Sequence, residues 1–109
     1  MKNINRDDIL NTLRKLKKEI ETKYKVKEIG LFGSYINDKQ KSTSDIDILV
    51  EFDDGASLLD LVGLSFFLEK IFGKKIDVIS KNALKEEIRD YILEMVIYVW
   101  KRYYLLKRY

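Results

Sequence analysis

The apolar positions of this chain fall into blocks whose spacing changes from one block to the next. Ile9, Leu13, Leu16 and Ile20 recur at steps of three and four, the period of one helix face. Asn5 is placed to cap that helix, and Asp7 and Asp8 sit in its first turn, where acidic groups oppose the positive end of the dipole. The pattern predicts a helix over about residues 6–23. Val26, Ile29, Leu31 and Phe32 then form a short β-favouring run that stops at Gly33-Ser34, predicting a strand buried at its end. The mostly polar residues 35–44 suit a short helix and a loop.

Over residues 45–52 the period drops to two. Asp45, Asp47, Leu49 and Glu51 share one face of a predicted second strand, and Ile46, Ile48, Val50 and Phe52 share the other. Asp53-Asp54-Gly55 reads as a turn, and Ser57 caps a helix that runs to about Phe72 and ends at Gly73. Residues 58–68 are apolar almost all round, more than a one-sided surface helix needs, which predicts a second apolar face for a partner. A third strand is expected over residues 75–79. Leu84, Ile88, Ile92, Met95, Val99, Tyr103 and Leu106 predict one last long helix, with Asn82 as its cap. The order α-β-(α)-β-α-β-α favours a small α/β (α+β) domain, a mixed sheet of three or slightly more strands packed with helices. Without repeats, linkers or low-complexity stretches, residues 1–109 are expected to form one domain.

Composition narrows the chemistry. The chain has no cysteine and no histidine, which excludes a disulfide framework, thiolate or imidazole zinc sites, a Ser-His-Asp triad and a Cys-His nucleophile pair. Any metal must be held by oxygen, and carboxylates favour Mg²⁺, Mn²⁺ or Ca²⁺. No apolar run reaches the ~20 residues of a membrane span, and the polar start does not read as a signal peptide, so a soluble cytoplasmic protein is expected. The net charge of +3 is small but unevenly spread. Residues 13–27 carry seven Lys/Arg against Glu19 and Glu21, whereas residues 44–60 hold six carboxylates and no Lys or Arg. An acidic centre between basic flanks suggests a cation site with surroundings suited to an anionic ligand.

The residues that carry chemistry are Gly33-Ser34, then Asp45-Ile46-Asp47 after ten residues, with Asp77 in the following strand. A glycine at a strand end lets backbone approach a ligand, and a serine opening a helix offers a hydroxyl and free amides to phosphate. Asp45 and Asp47 project from one strand face and can converge on one or two Mg²⁺ ions. Two cations bridged by carboxylates suit in-line phosphoryl or nucleotidyl transfer. Asp77, between apolar Ile76 and Val78, is placed to supply a third carboxylate; Glu51 lies farther along its strand and reads as a supporting residue.

This arrangement, Gly-Ser, about ten residues, then Ser-Asp-x-Asp, resembles the minimal nucleotidyltransferases of the DNA-polymerase-β-like superfamily over essentially the whole chain. Many of these are antitoxins paired with a helical HEPN-domain ribonuclease toxin. The resemblance implies that Gly33 and Ser34 bind the triphosphate of ATP, that Asp45, Asp47 and Asp77 bind two Mg²⁺ ions, and that Asp77 helps deprotonate the acceptor. It further implies transfer of AMP to a tyrosine hydroxyl of the toxin. One departure stands out: family members often carry a small residue and Arg-Gly shortly after Gly-Ser, where this chain has Tyr35-Ile36-Asn37-Asp38. Lys39 and Lys41 are the nearby cations that could substitute. Binding and occlusion of the toxin without catalysis is the alternative reading, supported by that departure and by the doubly apolar helix. A third, nucleic-acid binding through the basic segments and Trp100-Lys101-Arg102-Tyr103-Tyr104, is disfavoured because Tyr103 and Leu106 continue an apolar helical stripe.

Overall fold

In the computed structural model, which describes residues 4–37 and 39–101, the first apolar stripe is divided between two helices, α1 (Arg6–Lys15) and α2 (Lys17–Tyr24). Asn5 caps α1 reciprocally: its Oδ1 accepts from the Asp8 N–H at 2.8 Å, and Asp8 Oδ2 accepts from the Asn5 N–H at 3.1 Å. The single helix expected over 6–23 is interrupted at Leu16, whose ψ of 3° leaves the helical range. Its N–H reaches both Thr12 and Leu13 carbonyls, a tightened last turn made without glycine or proline. Ile9, Leu13 and Ile20 remain fully buried across the break.

Four strands follow: β1 (Val26–Phe32), β2 (Ile46–Phe52), β3 (Ile76–Ser80) and β4 (Ile97–Trp100). They form one mixed sheet in the order β3-β2-β1-β4. β1 runs antiparallel to both β2 and β4, whereas β2 and β3 are parallel. Parallel neighbours need a crossover, and α3 (Leu58–Phe72) provides it. Ser57 caps α3 through a capping box with Asp60, and Gly73 at φ 65° closes it in the left-handed conformation.

The core lies on one sheet face. Ile29 and Leu31 of β1 and Ile46, Ile48 and Val50 of β2 meet Ile9 and Leu13 of α1, Ile20 of α2, and Leu64, Leu68 and Phe72 of α3. The stretch between β1 and β2 opens as a 3-10 turn over Gly33–Asn37, and its Tyr35 and Ile36 join this core. The other aliphatic face of α3 is uncovered: Leu58, Leu59, Val62 and Phe66 are exposed. Among the described residues, no helix is long and apolar enough to cross a membrane.

The C-terminal part departs from the expected pattern. The last helix, α4 (Glu86–Met95), is preceded by Lys85 and not by Asn82, which lies in a short 3-10 turn at Lys81–Ala83. Val96 at ψ 137° ends it, and residues 97–100 become β4 where the long helix was expected. Val96-Ile97-Tyr98-Val99-Trp100 is a run of β-branched and aromatic residues, and β1 offers an open edge for it. Gly30 makes the pairing possible, since a Cβ there would stand 2.5 Å from Val96 Cγ2 and 3.2 Å from the Ile97 carbonyl. Trp100 is thereby buried, with Lys17 Nζ 5.8 Å from its ring, and is not free to stack on nucleic acid. Arg102 to Leu106, including Tyr103, fall outside the described residues.

Candidate active site

The strand register places the predicted carboxylates in a row. Asp47 of β2 is paired with Asp77 of β3 on one side and with Phe32 of β1 on the other, and directly paired residues project to the same face. This is the face opposite the helical core. Asp45 stands just before β2, held by a turn in which the Ser44 hydroxyl accepts from the Lys41 N–H at 2.8 Å, while the Ile46 N–H donates to the Lys75 carbonyl at 3.0 Å. All three aspartates are partly buried.

Gly33 is fitted against this row. Its φ of 83° is the left-handed region, and a Cβ on it would overlap Asp47 Oδ2. The next residue, Ser34, accepts through its carbonyl from the Lys39 N–H at 3.1 Å, which closes the turn. Arg6 of α1 braces the same turn from outside, donating from Nη1 to the Ile36 carbonyl at 2.9 Å. Tyr35 and Ile36, within the segment that departs from the family pattern, are thus committed to packing. Lys41 lines a cavity of about 380 Å³ with Tyr35, Gln40 and Lys74.

The electrostatics centre on Asp47. Burial, then the carboxylates of Asp77 and Asp45, and a hydrogen bond with Asp77 push its pKa up to about 6. Among the described residues no cation lowers it. Among the described residues no three acidic side chains are already converged as a formed metal cluster, so the set is a carboxylate pair, Asp47 and Asp77, with Asp45 alongside. It is short of positive charge, which suits a hard divalent cation bound together with an anionic substrate.

Two features lay outside the sequence reading. At the other end of the same face, Lys81 Nζ stands 3.3 Å from Glu28 Oε2 and 3.5 Å from Glu51 Oε1, Lys27 lies 3.4 Å from Glu51, and Lys81 is 5.6 Å from the Tyr98 ring. Glu51 is a supporting residue here: burial raises its pKa, but Lys81 and Lys27 outweigh that and hold it below its ordinary value. The network ties the segment leading to α4 onto β1, β2 and β4. The second feature is a cavity of about 260 Å³ between α4 and the end of β1, lined by Phe32, Gly33, Tyr91, Ile92 and Met95. The stripe of Ile88, Ile92 and Met95 reads in the sequence as core, and only the placement of α4 beside Gly33 reveals a hollow.

Comparison with known proteins bears on the family and the fold. Residues 13–102 match the profile of the nucleotidyltransferase domain family. The protein adenylyltransferase MntA of Thermococcus cleftensis is 40% identical over 93 residues, covering 85% of this chain and 94% of that protein. A solved candidate minimal nucleotidyltransferase superposes with a TM-score of 0.71 at 27% identity, over 89% of this chain and 98% of that one. A chain from a complex of tri-AMPylated Shewanella oneidensis HEPN toxin with its MNT antitoxin matches with a TM-score of 0.62 at 22% identity. That match covers 84% of this chain and 69% of the other, and it speaks to the fold.

Proposed function

This chain belongs to the nucleotidyltransferase domain family, and from that membership we propose that it is a Mg²⁺-dependent protein adenylyltransferase that modifies a helical HEPN-domain toxin and so acts as its antitoxin. The observation that carries the reading is the row Asp77, Asp47 and Phe32-Gly33, in which two carboxylates face one another across paired strands and a glycine lets the chain pass directly against the Asp47 carboxylate. ATP is the donor, and the acceptor is a hydroxyl of the toxin, a tyrosine in the family pattern.

The set of Asp45, Asp47 and Asp77, rich in negative charge, fits a divalent cation, since among the described residues no cation offsets the pressure on Asp47. Mg²⁺, when bound, neutralises phosphate oxygens and polarises the acceptor hydroxyl. The protein's own groups do the rest. The backbone of Gly33-Ser34 receives the phosphates, and the Ser34 hydroxyl donates to a phosphate oxygen. Asp77, on the outer strand of the row, takes the acceptor's proton. The acceptor oxygen then bonds to the α-phosphorus in line as the bond to the bridging oxygen breaks and pyrophosphate departs. The acceptor hydroxyl and the wall around it are supplied by the toxin.

The test combines the purified chain with α-labelled ATP, Mg²⁺ and the helical product of the adjoining gene. Label on that partner, lost with Asp45→Asn, Asp47→Asn and Asp77→Asn, supports the proposal. A tight complex that carries no label would replace it with neutralisation by binding alone. The exposed row Leu58, Leu59, Val62 and Phe66 on α3 is the observation favouring that second reading.

A further inference from the structure

We propose that the outer edge of β3 is the docking strand for the acceptor: an extended segment of the toxin adds to the sheet beside β3 and thereby sets its tyrosine opposite Asp77. The inference rests on the transferase reading above, with Asp77 as the group that receives the acceptor's proton. β3 is a terminal strand of the sheet, with β2 on one side only. In the parallel register from Ile46↔Ile76 to Val50↔Ser80, the Ile46 N–H donates to the Lys75 carbonyl at 3.0 Å. Successive residues of a strand turn their backbone groups to opposite sides, so Asp77 and Ile79 bond to β2 while Ile76, Val78 and Ser80 turn outward.

The outward groups are not all alike. At Ile76 they are met by α3: the N–H donates to Glu69 Oε2 at 3.3 Å, and the carbonyl accepts from Ser65 Oγ at 3.4 Å. The Val78 N–H and carbonyl and the Ser80 N–H have no such partner among the described residues. The two edges of the sheet also differ. β4, at the other edge, carries a register shift beside Gly30, and Lys81 and Lys101 hold their ammonium groups 5.6 and 4.4 Å from the Tyr98 ring. Irregular pairing and lysines are devices that keep a strand edge from recruiting other chains. β3 has neither: its register with β2 is unbroken, and Ile76-Asp77-Val78-Ile79-Ser80 contains no lysine or proline.

What occupies this edge follows from where it runs. Directly paired residues of neighbouring strands project to one face, so Phe32, Asp47 and Asp77 form a row, and a strand added outside β3 extends that row by one residue. The added residue stands about 5 Å from Asp77, one strand spacing away, on the flank remote from Gly33. That is the flank from which an acceptor must come if Asp77 is to take its proton. Backbone pairing supplies the hold, and the position opposite Asp77 supplies the choice of residue. A tyrosine there leans over the Asp77 carboxylate towards the phosphates, whereas the short side chain of a serine ends level with it.

The experiment is amide hydrogen exchange followed by NMR on the full chain, alone and with the helical product of the adjoining gene, without ATP. The Val78 and Ser80 amides should exchange about tenfold more slowly in the complex. Label transfer from α-labelled ATP is then measured for Ser80→Pro, which suits the φ of −72° at that residue and removes an edge N–H that β2 does not use. This variant should melt and bind ATP as the wild type does, and its KM for the partner should rise about tenfold with kcat little changed. If both amides exchange as fast in the complex as in the free chain, or if folded, ATP-binding Ser80→Pro keeps the wild-type KM, edge docking is overturned and the transferase reading stands. Protection that develops in the chain alone as its concentration rises gives the edge to a second copy and likewise overturns the proposal. If the wild-type chain transfers no label, the transferase reading fails and the docking strand falls with it.

Discussion

Asp47→Asn removes a negative charge from a place where the fold itself opposes it, so the variant should gain stability as it loses activity. Burial and the facing carboxylates of Asp77 and Asp45 raise the pKa of Asp47 from its ordinary 3.8 to about 6. The sign follows from proton counting: between those two values the folded chain binds more protons than the unfolded one, so stability falls as pH rises through the window. Above pH 6 the full penalty is present. At 1.36 kcal/mol per pH unit its ceiling is about 3 kcal/mol, and because Asp47 is only half-buried, solvent screening brings it to about 1 to 1.5 kcal/mol. Asparagine keeps the shape and can donate to the Asp77 carboxylate. Thermal melts in a metal chelator near pH 7.5 should therefore place Asp47→Asn about 4–8 °C above the wild type. The gap should close as pH falls towards 4, and Mg²⁺ should narrow it from the other side by stabilising the wild type alone. A variant that melts at or below the wild type near pH 7.5, or that keeps its advantage undiminished in acid, would refute the electrostatic account of this site.

Other substitutions probe the supports of the same face. Gly33→Ala forces a side chain into the left-handed region and onto Asp47 Oδ2, and should cost about 1–3 kcal/mol in urea melts and abolish label transfer. Lys81→Met strands the buried Glu28 and should cost about 3 kcal/mol, whereas pairing it with Glu28→Gln should recover much of the loss in a double-mutant cycle. Phe66→Ser on the bare face of α3 should change the stability of the isolated chain by less than about 0.5 kcal/mol yet weaken pull-down of the partner protein.

What could be read from the sequence were the features decided within a few residues of one another. The capping boxes at Asn5 and Ser57 and the left-handed stop at Gly73 need only their own turns, and they stand where the pattern puts them. The alternation around Asp47 also held, because a strand with one buried face fixes its own register. The errors came where distant segments decide. Leu16 continues the apolar stripe in sequence while its backbone breaks the helix, and no glycine or proline marks the place. Val99 falls on the period of α4, yet the open edge of β1 and the missing side chain of Gly30 draw residues 97–100 into the sheet. The face bearing Asp47 could be predicted from alternation, but not what stands at its ends. The Lys81 network joins residues 28, 51 and 81, and the hollow at Gly33 is formed by residues some sixty positions apart.

The pairing of β4 with β1 also bears on the order in which the molecule can assemble. Leu31 pairs with Ile48 on one side but finds its partner on the other only at Ile97, so that outer edge of β1 stays unpaired until nearly the whole described chain has been synthesised. Contacts of such wide sequence separation form late and slowly, and an exposed strand edge is prone to pair with the wrong chain in the interval. A nascent or truncated chain lacking residues 97–100 should be both inactive and aggregation-prone, which ties competence of the site to completion of the sheet.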